Sequence, residues 1–180
     1  TLLKKLESIG LPVPSKLSKI IDDEKKICGL QYQYIKGIEY KKFSFNEKSR
    51  GKFLNSISDF FKKLHNINYD SIDKKPTNIS KEIYKNLLIK NQKKISRERF
   101  LQASAKIDIM SKIKLKDLSL IHGDINDGNF ILKDNGEISG VIDWSEHMLS
   151  DPAYDLAGAL IYFGKDTLSH ILKHNHYSGE

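Results

Sequence analysis

The hydrophobic positions of the first 40 residues predict one short helix and a pair of strands. Apolar residues fall at helical spacing over residues 2–9, and Gly10 is typical of a helix end. Residues 16–21 and 26–35 have the composition of strands and flank a short acidic turn. Cys28 lies in the second of these strands, so we expect a buried, reduced thiol. As it is the only cysteine, no disulfide can form within the chain.

The middle of the chain predicts three helices separated by polar loops. An amphipathic helix is predicted over residues 46–65, where five apolar residues share one face. Two further helices are predicted over residues 81–94, with Ser80 as the N-cap, and over residues 97–113. The apolar face of the first of these helices consists of Phe53, Ile57, Phe60, Phe61 and Leu64.

After the third of these helices the pattern changes to short strands. Residues 118–121 predict an apolar strand, and residues 130–133 and 138–142 predict a hairpin whose turn contains Gly136. A helix rich in small and apolar residues is predicted to begin near Ala153. The fold class that we expect is α+β.

Composition narrows the classes of partner. The chain has 180 residues, 39% of them hydrophobic and 29% charged, which is typical of a globular protein. No apolar run approaches the ~20 residues that span a bilayer, and no signal peptide is visible, so we expect a cytoplasmic protein without a membrane partner. The net charge of +7 suits anionic ligands. The lysines are not interleaved with aromatic residues in a basic stripe, so we do not expect nucleic acid as a partner.

The loop between the apolar strand and the hairpin carries the candidate chemistry. Asp124 is followed five residues later by Asn129, and Asp143 ends the return strand of the hairpin. Since the hairpin folds back beside the first strand, these side chains can converge at one end of a small sheet. A carboxylate can orient a hydroxyl and accept its proton, and carboxylate and amide oxygens are ligands for Mg²⁺. The pattern therefore predicts phosphoryl transfer, with Asp124 as the catalytic carboxylate.

Alone, an Asp and an Asn at this spacing form a common loop pattern, and it is the surrounding residues that favour the functional interpretation. Asn129 and Asp143 are the predicted magnesium ligands. We expect His122 to support the loop through backbone hydrogen bonds rather than to take part in the reaction. Asp127 favours the turn within the loop.

The second half of the chain contains three motifs: His122-Gly123-Asp124 with Asn129, then Gly140-Val141-Ile142-Asp143-Trp144, then Asp151-Pro152-Ala153-Tyr154-Asp155-Leu156-Ala157. Together they resemble the aminoglycoside phosphotransferase family of protein-kinase-like enzymes. The resemblance implies a mainly helical C-terminal lobe with a catalytic β-hairpin over residues 39–180, and a remnant of the N-terminal lobe with its hinge over residues 1–38. It implies Mg²⁺ and ATP or GTP as phosphate donor, and a structural role for Asp155, which would accept hydrogen bonds from the catalytic loop.

A looser resemblance concerns the nucleotide base. Residues 30–37 resemble the last strand of the N-terminal lobe and the hinge that follows it. In that register the backbones of Gln33 and Ile35 would contact the base, with Tyr32 behind it, and Ile142 would complete the nucleotide site. Tyr32 is equally well explained by strand packing, and the choice between ATP and GTP stays open.

The sequence points to two classes of acceptor. The resemblance implies a hydroxylated, antibiotic-like small molecule, with Asn126, Glu146 and Tyr154 as candidate contacts. Residues 81–99 carry seven basic side chains against two acidic ones, which suits a polycationic aminoglycoside poorly. A second resemblance, to the macrolide phosphotransferase branch, rests on Asp143-Trp144-Ser145-Glu146, Tyr162-Phe163-Gly164 and Tyr177-Ser178-Gly179, although Asn129 stands where that branch often has His.

The sequence departs from the family pattern near its beginning. Family members carry a phosphate-covering loop and a strand lysine that pairs with a helical glutamate, and Glu7 lies too near the helix end to be that glutamate. We therefore expect the 180 residues alone to bind nucleotide weakly. A truncated, inactive binding relic of the same family is the alternative. A protein kinase is disfavoured, because no Ala-Pro-Glu segment follows Asp143. The oligomeric state stays open.

Overall fold

The computed structural model of the protein describes residues 2–68, 81–110, 118–175 and 177. The described residues form six α-helices and seven short strands, which confirms the predicted α+β class. The helices are α1 (Leu2–Ser8), α2 (Glu47–His65), α3 (Lys81–Asn91), α4 (Arg97–Met110), α5 (Ala153–Phe163) and α6 (Lys165–His174). The strands are β1 (Ser18–Ile21), β2 (Ile27–Gln31), β3 (Ile38–Glu39), β4 (Ser119–Ile121), β5 (Phe130–Leu132), β6 (Ile138–Val141) and β7 (Met148–Ser150).

Helix α2 is the central element of the fold, and its position confirms the prediction for residues 46–65. Asn46 is its N-cap: the side chain accepts from the Ser49 amide at 2.8 Å, and the Ser49 hydroxyl accepts from the Asn46 amide at 2.9 Å. This reciprocal arrangement satisfies two amides that the helix start leaves free. The five predicted apolar side chains are all buried, at most 1% exposed.

The core forms where α2 meets the hairpin and the last two helices. Phe130 of β5 lies edge-on between Phe60 of α2 and Phe163 of α5, with ring centroids 5.6 and 5.0 Å apart. All three rings are nearly or fully buried. Such edge-to-face contacts stabilise aromatic clusters beyond the area they bury. The cluster fixes the strand that begins directly after Asn129, and therefore fixes one end of the candidate site.

The described strands form three small antiparallel sheets. In the central sheet, in the order β3-β5-β6, the β5–β6 hairpin is the predicted one. In another, β4 pairs with β7, so that Leu120 faces Leu149 and Ile121 faces Met148. The sequence did not predict β7 or this pairing. Its consequence is that the chain leaving β4 lies beside the chain that follows Asp143.

The N-terminal hairpin corrects one prediction. Strands β1 and β2 pair with each other, and β2 ends at Gln31 rather than continuing to residue 35. Cys28 is exposed, so the expectation of a buried thiol was wrong. The reason is that β1 and β2 form a two-stranded sheet whose residues are exposed or only half-buried. An apolar strand composition does not by itself supply a covering layer.

The other predicted helices are observed with shifted ends. Helix α1 ends before Gly10, which has a positive φ of 76°. Helices α3 and α4 match the predicted segments, while Ser80 and residues 111–113 lie outside the described residues. Helix α5 begins at Ala153 as predicted, and α6 was not predicted separately. Within the described part of the chain, no helix is long and apolar enough to cross a membrane.

Candidate functional site

The loop of residues 122–129, between β4 and β5, carries the predicted catalytic carboxylate. Asn129 donates from Nδ2 to Asp124 Oδ2 at 3.0 Å and to the Asp124 main-chain oxygen at 2.9 Å. Asn129 is buried and Asp124 is half-buried. The two residues that the sequence singled out by their spacing are therefore in direct contact.

Asn126 braces the inside of the same loop. Its Oδ1 accepts the amides of Gly128 at 2.9 Å and Asn129 at 3.1 Å, and its Nδ2 lies 3.4 Å from the Asp124 main-chain oxygen. This is the local bonding by which Asn side chains favour turns. Asn126 was predicted as an acceptor contact, and the structure shows its amide engaged within the loop.

Asp155, in the first turn of α5, ties the start of the loop to the core. Its Oδ2 accepts the His122 amide at 2.9 Å and its Oδ1 accepts the Gly123 amide at 3.0 Å. Asp155 is fully buried, so these amides compensate for its lost hydration. On its other side, His65 Nε2 lies 3.2 Å from Asp155 Oδ2.

His122 links the loop to the hairpin through both ring nitrogens. Nδ1 accepts the Asp124 amide at 3.2 Å, which leaves Nε2 to donate to the Ile142 carbonyl at 3.0 Å. The ring also packs against Trp144, with centroids 4.5 Å apart. Burial lowers the pKa of His122, because the buried site disfavours the imidazolium more than the nearby carboxylates favour it. The neutral ring with the proton on Nε2 satisfies both contacts.

Gly123 is required by both its backbone and its surroundings. Its φ is +83°, in the left-handed region, and a Cβ there would lie 2.3 Å from the Glu146 carbonyl oxygen. The segment that follows Asp143 therefore packs directly on the start of the loop. Glu146, a predicted acceptor contact, has an exposed side chain at this point.

Asp143 lies immediately beyond the paired part of the hairpin. The Ile142 amide donates to the Asn129 carbonyl at 3.0 Å, so Asp143 directly follows the residue that lies opposite Asn129 in the hairpin. Asp143 is exposed and has a positive φ of 60°, an uncommon conformation outside glycine that often marks functional positions. The Ser145 hydroxyl donates to Asp143 Oδ1 at 2.7 Å.

The donor atoms at this end of the hairpin fit a magnesium ion. Both side-chain bonds of Asn129 use Nδ2, which leaves Oδ1 as an acceptor, and Ser145 occupies only one of the two Asp143 oxygens. Amide and carboxylate oxygens are the ligand types that Mg²⁺ takes, with water and phosphate completing the octahedron. Among the described residues, no three His, Cys, Asp or Glu side chains gather around a common point.

The predicted nucleotide residues lie on and after the N-terminal hairpin. Tyr32 and Gln33 are exposed, and the Gln33 amide donates to the Ser15 carbonyl at 3.0 Å, so its own carbonyl is the backbone group available for a base. Ile35 is half-buried, and a Cβ on Gly140 would lie 2.6 Å from its side chain. Ile35 thus lies over Gly140 of β6, and Gly140 is two residues before Ile142.

Sequence analysis did not identify three residues that contact the site directly. His65 and Tyr177 join through a 2.8 Å hydrogen bond next to Asp155, and Ser145 bonds Asp143. The position of Ser145 two residues after a candidate ligand was a usable signal. No comparable signal exists for His65 and Asp155, which are 90 positions apart. The third predicted acceptor residue, Tyr154, is 39% exposed on α5.

Sequence comparison matches residues 1–174 to the profile of the phosphotransferase enzyme family, APH. Two curated relatives match over shorter segments. The uncharacterised protein YcbJ of Bacillus subtilis (strain 168) is 33% identical over 61 residues, which are 34% of this chain and 20% of the relative. Hygromycin-B 4-O-kinase of Escherichia coli is 40% identical over 58 residues, which are 32% of this chain and 16% of the relative.

Solved structures share the fold. The GDP complex of wild-type aminoglycoside 2'-phosphotransferase-IIIa superimposes with a TM-score of 0.79 and 16% identity, over 98% of this chain and 64% of that one. Macrolide 2'-phosphotransferase type I gives a TM-score of 0.67 and 18% identity, over 96% of this chain and 60% of that one. The chain thus spans under two thirds of either structure. The likeness confirms the predicted protein-kinase-like fold.

Proposed function

Because the chain belongs to the phosphotransferase enzyme family, we propose that it is part of an enzyme that transfers the γ-phosphate of ATP or GTP to a hydroxyl of a small, antibiotic-like acceptor. The observation that carries this proposal is the direct contact of Asn129 with Asp124, beside Asp143 at the end of the hairpin. This is the set of groups that phosphoryl transfer requires, a carboxylate for the hydroxyl and oxygen ligands for a cation.

Asp124 acts as the catalytic carboxylate in this proposal. One of its oxygens is held by Asn129 Nδ2, which fixes the side-chain orientation. The other oxygen then orients the acceptor hydroxyl toward the γ-phosphorus and accepts its proton as the new P–O bond forms. In the same step the bond from the γ-phosphorus to the β,γ-bridging oxygen breaks, and the nucleoside diphosphate leaves with that oxygen. Positioning of this kind supplies much of the catalysis in phosphoryl transfer, because the protein does little covalent chemistry there.

Asn129 and Asp143 are the residues proposed to hold Mg²⁺. When bound, the ion neutralises charge on the donor phosphates during transfer. The chain's own contribution is to fix the two ligands: Asn129 through its bonds to Asp124, and Asp143 through the Ser145 hydroxyl. One or two protein ligands are usual for a magnesium ion that also binds nucleotide phosphates.

The nucleotide base is proposed to lie against the backbones of Gln33 and Ile35, with Tyr32 and Ile142 nearby. In this division, residues 1–38 belong to the N-terminal lobe and its hinge, and residues 39–180 belong to the C-terminal catalytic lobe. Support for a nucleotide donor comes from the GDP complex of aminoglycoside 2'-phosphotransferase-IIIa. A cytoplasmic location follows from the same proposal, since ATP and GTP are cytoplasmic metabolites.

The acceptor class is proposed from the relatives and from the charges. The names of the relatives point to hygromycin B, an aminoglycoside or a macrolide. Glu146 and Tyr154 are exposed and can contact such a molecule, whereas the Asn126 amide is engaged in the loop. A polycation requires a pocket with more carboxylates than residues 81–99 carry, and a macrolide requires apolar surface with one amine partner.

The test is phosphoryl transfer by the full-length protein, with ATP and GTP in parallel, against a panel of aminoglycosides and macrolides. Asp124→Asn should lower transfer by about 10²–10⁴-fold, the usual contribution of a general base. Asp134→Asn, the same substitution at an exposed turn of the hairpin, is the matched control and should leave transfer unchanged. Full activity in Asp124→Asn would contradict the mechanism. No transfer to any acceptor, without nucleotide binding at high magnesium, would favour a binding relic.

A further inference from the structure

A chain of hydrogen bonds leads from Tyr177 to the start of the 122–129 loop. The Tyr177 hydroxyl lies 2.8 Å from His65 Nδ1, and His65 Nε2 lies 3.2 Å from Asp155 Oδ2. Asp155 in turn accepts the His122 and Gly123 amides. We propose that Tyr177 is a positioning residue for phosphoryl transfer, which acts on the loop through His65 and Asp155. This inference rests on the proposed function for its catalytic meaning, but not for its structural test.

The two middle members of the chain are withdrawn from water. The side chains of His65 and Asp155 are 2% and 0% exposed. In such surroundings a hydrogen bond is stronger than in water, and a missing partner is not replaced by solvent. Tyr177 itself is half-buried, and loss of its hydroxyl removes the protein partner of His65 Nδ1 and should weaken the contact of His65 with Asp155.

In this series of hydrogen bonds, the positions of the protons determine which group donates at each contact. An ionised Asp155 has no proton, so its contact with His65 requires a proton on Nε2. A neutral imidazole then offers Nδ1 as an acceptor, and the Tyr177 hydroxyl is the donor that faces it. Burial, with a smaller effect of Asp155, raises the pKa of Tyr177, so the hydroxyl keeps its proton. Tyr177 thereby satisfies Nδ1 in the tautomer of His65 that donates to Asp155.

Contacts with α2 hold Tyr177 in this position. Asn175, which ends α6, is buried and donates from Nδ2 to the Ser58 carbonyl of α2 at 3.2 Å. Two residues later the Tyr177 amide donates to the Asn175 carbonyl at 3.0 Å. The Tyr177 ring then lies edge-on to His65, with centroids 5.7 Å apart. The segment after α6 is thus attached to α2 at two points, and its tyrosine is directed inward.

Tyr177→Phe in the full-length protein removes the hydroxyl and keeps the ring. If Tyr177 positions the loop, kcat should fall about 3- to 10-fold, the effect expected for one neutral hydrogen bond. The KM for nucleotide should stay within about twofold, because the proposed base contacts lie in another segment. Tyr162→Phe, at an exposed tyrosine of α5, is the matched control and should change neither parameter. An unchanged kcat in Tyr177→Phe would overturn the catalytic part of the proposal.

A readout independent of activity separates this proposal from the proposed function. Nitrogen NMR of the His65 ring should show a proton on Nε2 and none on Nδ1, as the two contacts require. In Tyr177→Phe the Nδ1 atom loses its hydrogen-bond donor, so its nitrogen chemical shift should change, and the His122 and Gly123 amides should exchange faster with solvent. A proton on Nδ1 in the unsubstituted protein, or identical spectra and exchange in the variant, would overturn the inference. If these signatures appear but no acceptor is phosphorylated, only the proposed function fails.

Discussion

Asn129 donates from one amide nitrogen to both the carboxylate and the main-chain oxygen of Asp124. The candidate magnesium ligand therefore also sets the orientation of the candidate catalytic carboxylate. A side chain that served only as a ligand could be replaced by any hard oxygen donor. The observed geometry requires the amide, because an oxygen must face the cation while a donor faces Asp124.

This dual task predicts that Asn129→Asp inactivates the protein even though it retains an oxygen ligand for magnesium. The new carboxylate replaces a donor by an acceptor and brings two negative groups to about the distance of the lost bond, which raises the pKa of one of them. We expect kcat to fall by about 100-fold or more, as for loss of a positioned catalytic group. Steady-state kinetics across a range of magnesium concentrations measure it.

The control for this substitution is Asn135→Asp, at an exposed position in the hairpin turn whose Oδ1 accepts the Glu137 amide. An aspartate can accept the same bond, so kcat should be unchanged there. If excess magnesium restored the Asn129→Asp variant fully, the bond to Asp124 would have no catalytic role.

We expect Asp155 to contribute more to the free energy of unfolding than an aspartate on the surface of a helix would. Asp155→Asn turns one accepting oxygen into a donor that faces either an amide N–H or the His65 ring, with no water to compensate. The free energy of unfolding should fall by about 2–4 kcal/mol, the cost of leaving buried donors unpaired.

Urea denaturation of the unsubstituted protein and of Asp155→Asn measures this loss, and Asp134→Asn is the control variant. Asp134 is exposed in a turn, where Asn is as well tolerated as Asp. A midpoint for Asp155→Asn within error of that control would show that the carboxylate is replaceable by an amide.

The parts of the fold that the sequence predicted are those determined by nearby residues. The five apolar residues of α2 recur at helical spacing and are all buried, and the residues around Gly136 form the predicted hairpin turn. The contact of Asp124 with Asn129 is equally local, since both belong to one loop of eight residues. Spacing along the chain was enough to relate them.

The parts that were missed depend on residues distant in sequence. Strand β7 has three residues, too few for a periodic signal, and it pairs with β4 about 30 positions earlier. His65 reaches Asp155 only after α2 and α5 pack together, which no local pattern encodes. Cys28 was predicted to be buried because it lies in an apolar strand segment. The composition of a strand does not show whether another element packs on it, and Cys28 is exposed.

Stability should decrease as the pH falls below the ordinary pKa of histidine. Burial lowers the pKa of His122 in the folded protein, so between that value and about 6.5 the unfolded chain binds a proton that the folded one does not. Protonation therefore favours unfolding in this window, and above about pH 7 both states are neutral and the effect vanishes. Urea denaturation at several pH values from 5 to 8 measures the slope.

His122→Gln isolates this contribution, because glutamine does not titrate. The slope of stability against pH in this window should be smaller in the variant than in the unsubstituted protein. An equal slope in both would assign the pH dependence to other groups.

Two alanine substitutions should act in opposite directions because of where their glycines lie. At Gly123 the backbone has a φ of +83°, and a Cβ would lie 2.3 Å from the Glu146 carbonyl oxygen, which is backbone and cannot rotate away. Gly123→Ala should therefore destabilise the protein by more than about 2 kcal/mol, from left-handed strain together with the clash. It should also lower kcat, since the residue lies between His122 and Asp124.

Gly51 is in the interior of α2, and a Cβ there meets nothing within 4 Å. Gly51→Ala should stabilise the protein by about 0.5–1 kcal/mol, because alanine loses less backbone entropy in a helix. Thermal and urea denaturation of both variants test the pair, with transfer kinetics as a second measurement. Equal effects at the two positions would mean that residues 123 and 146 do not pack as the structure has them, and the site would then have to be rebuilt around a different loop.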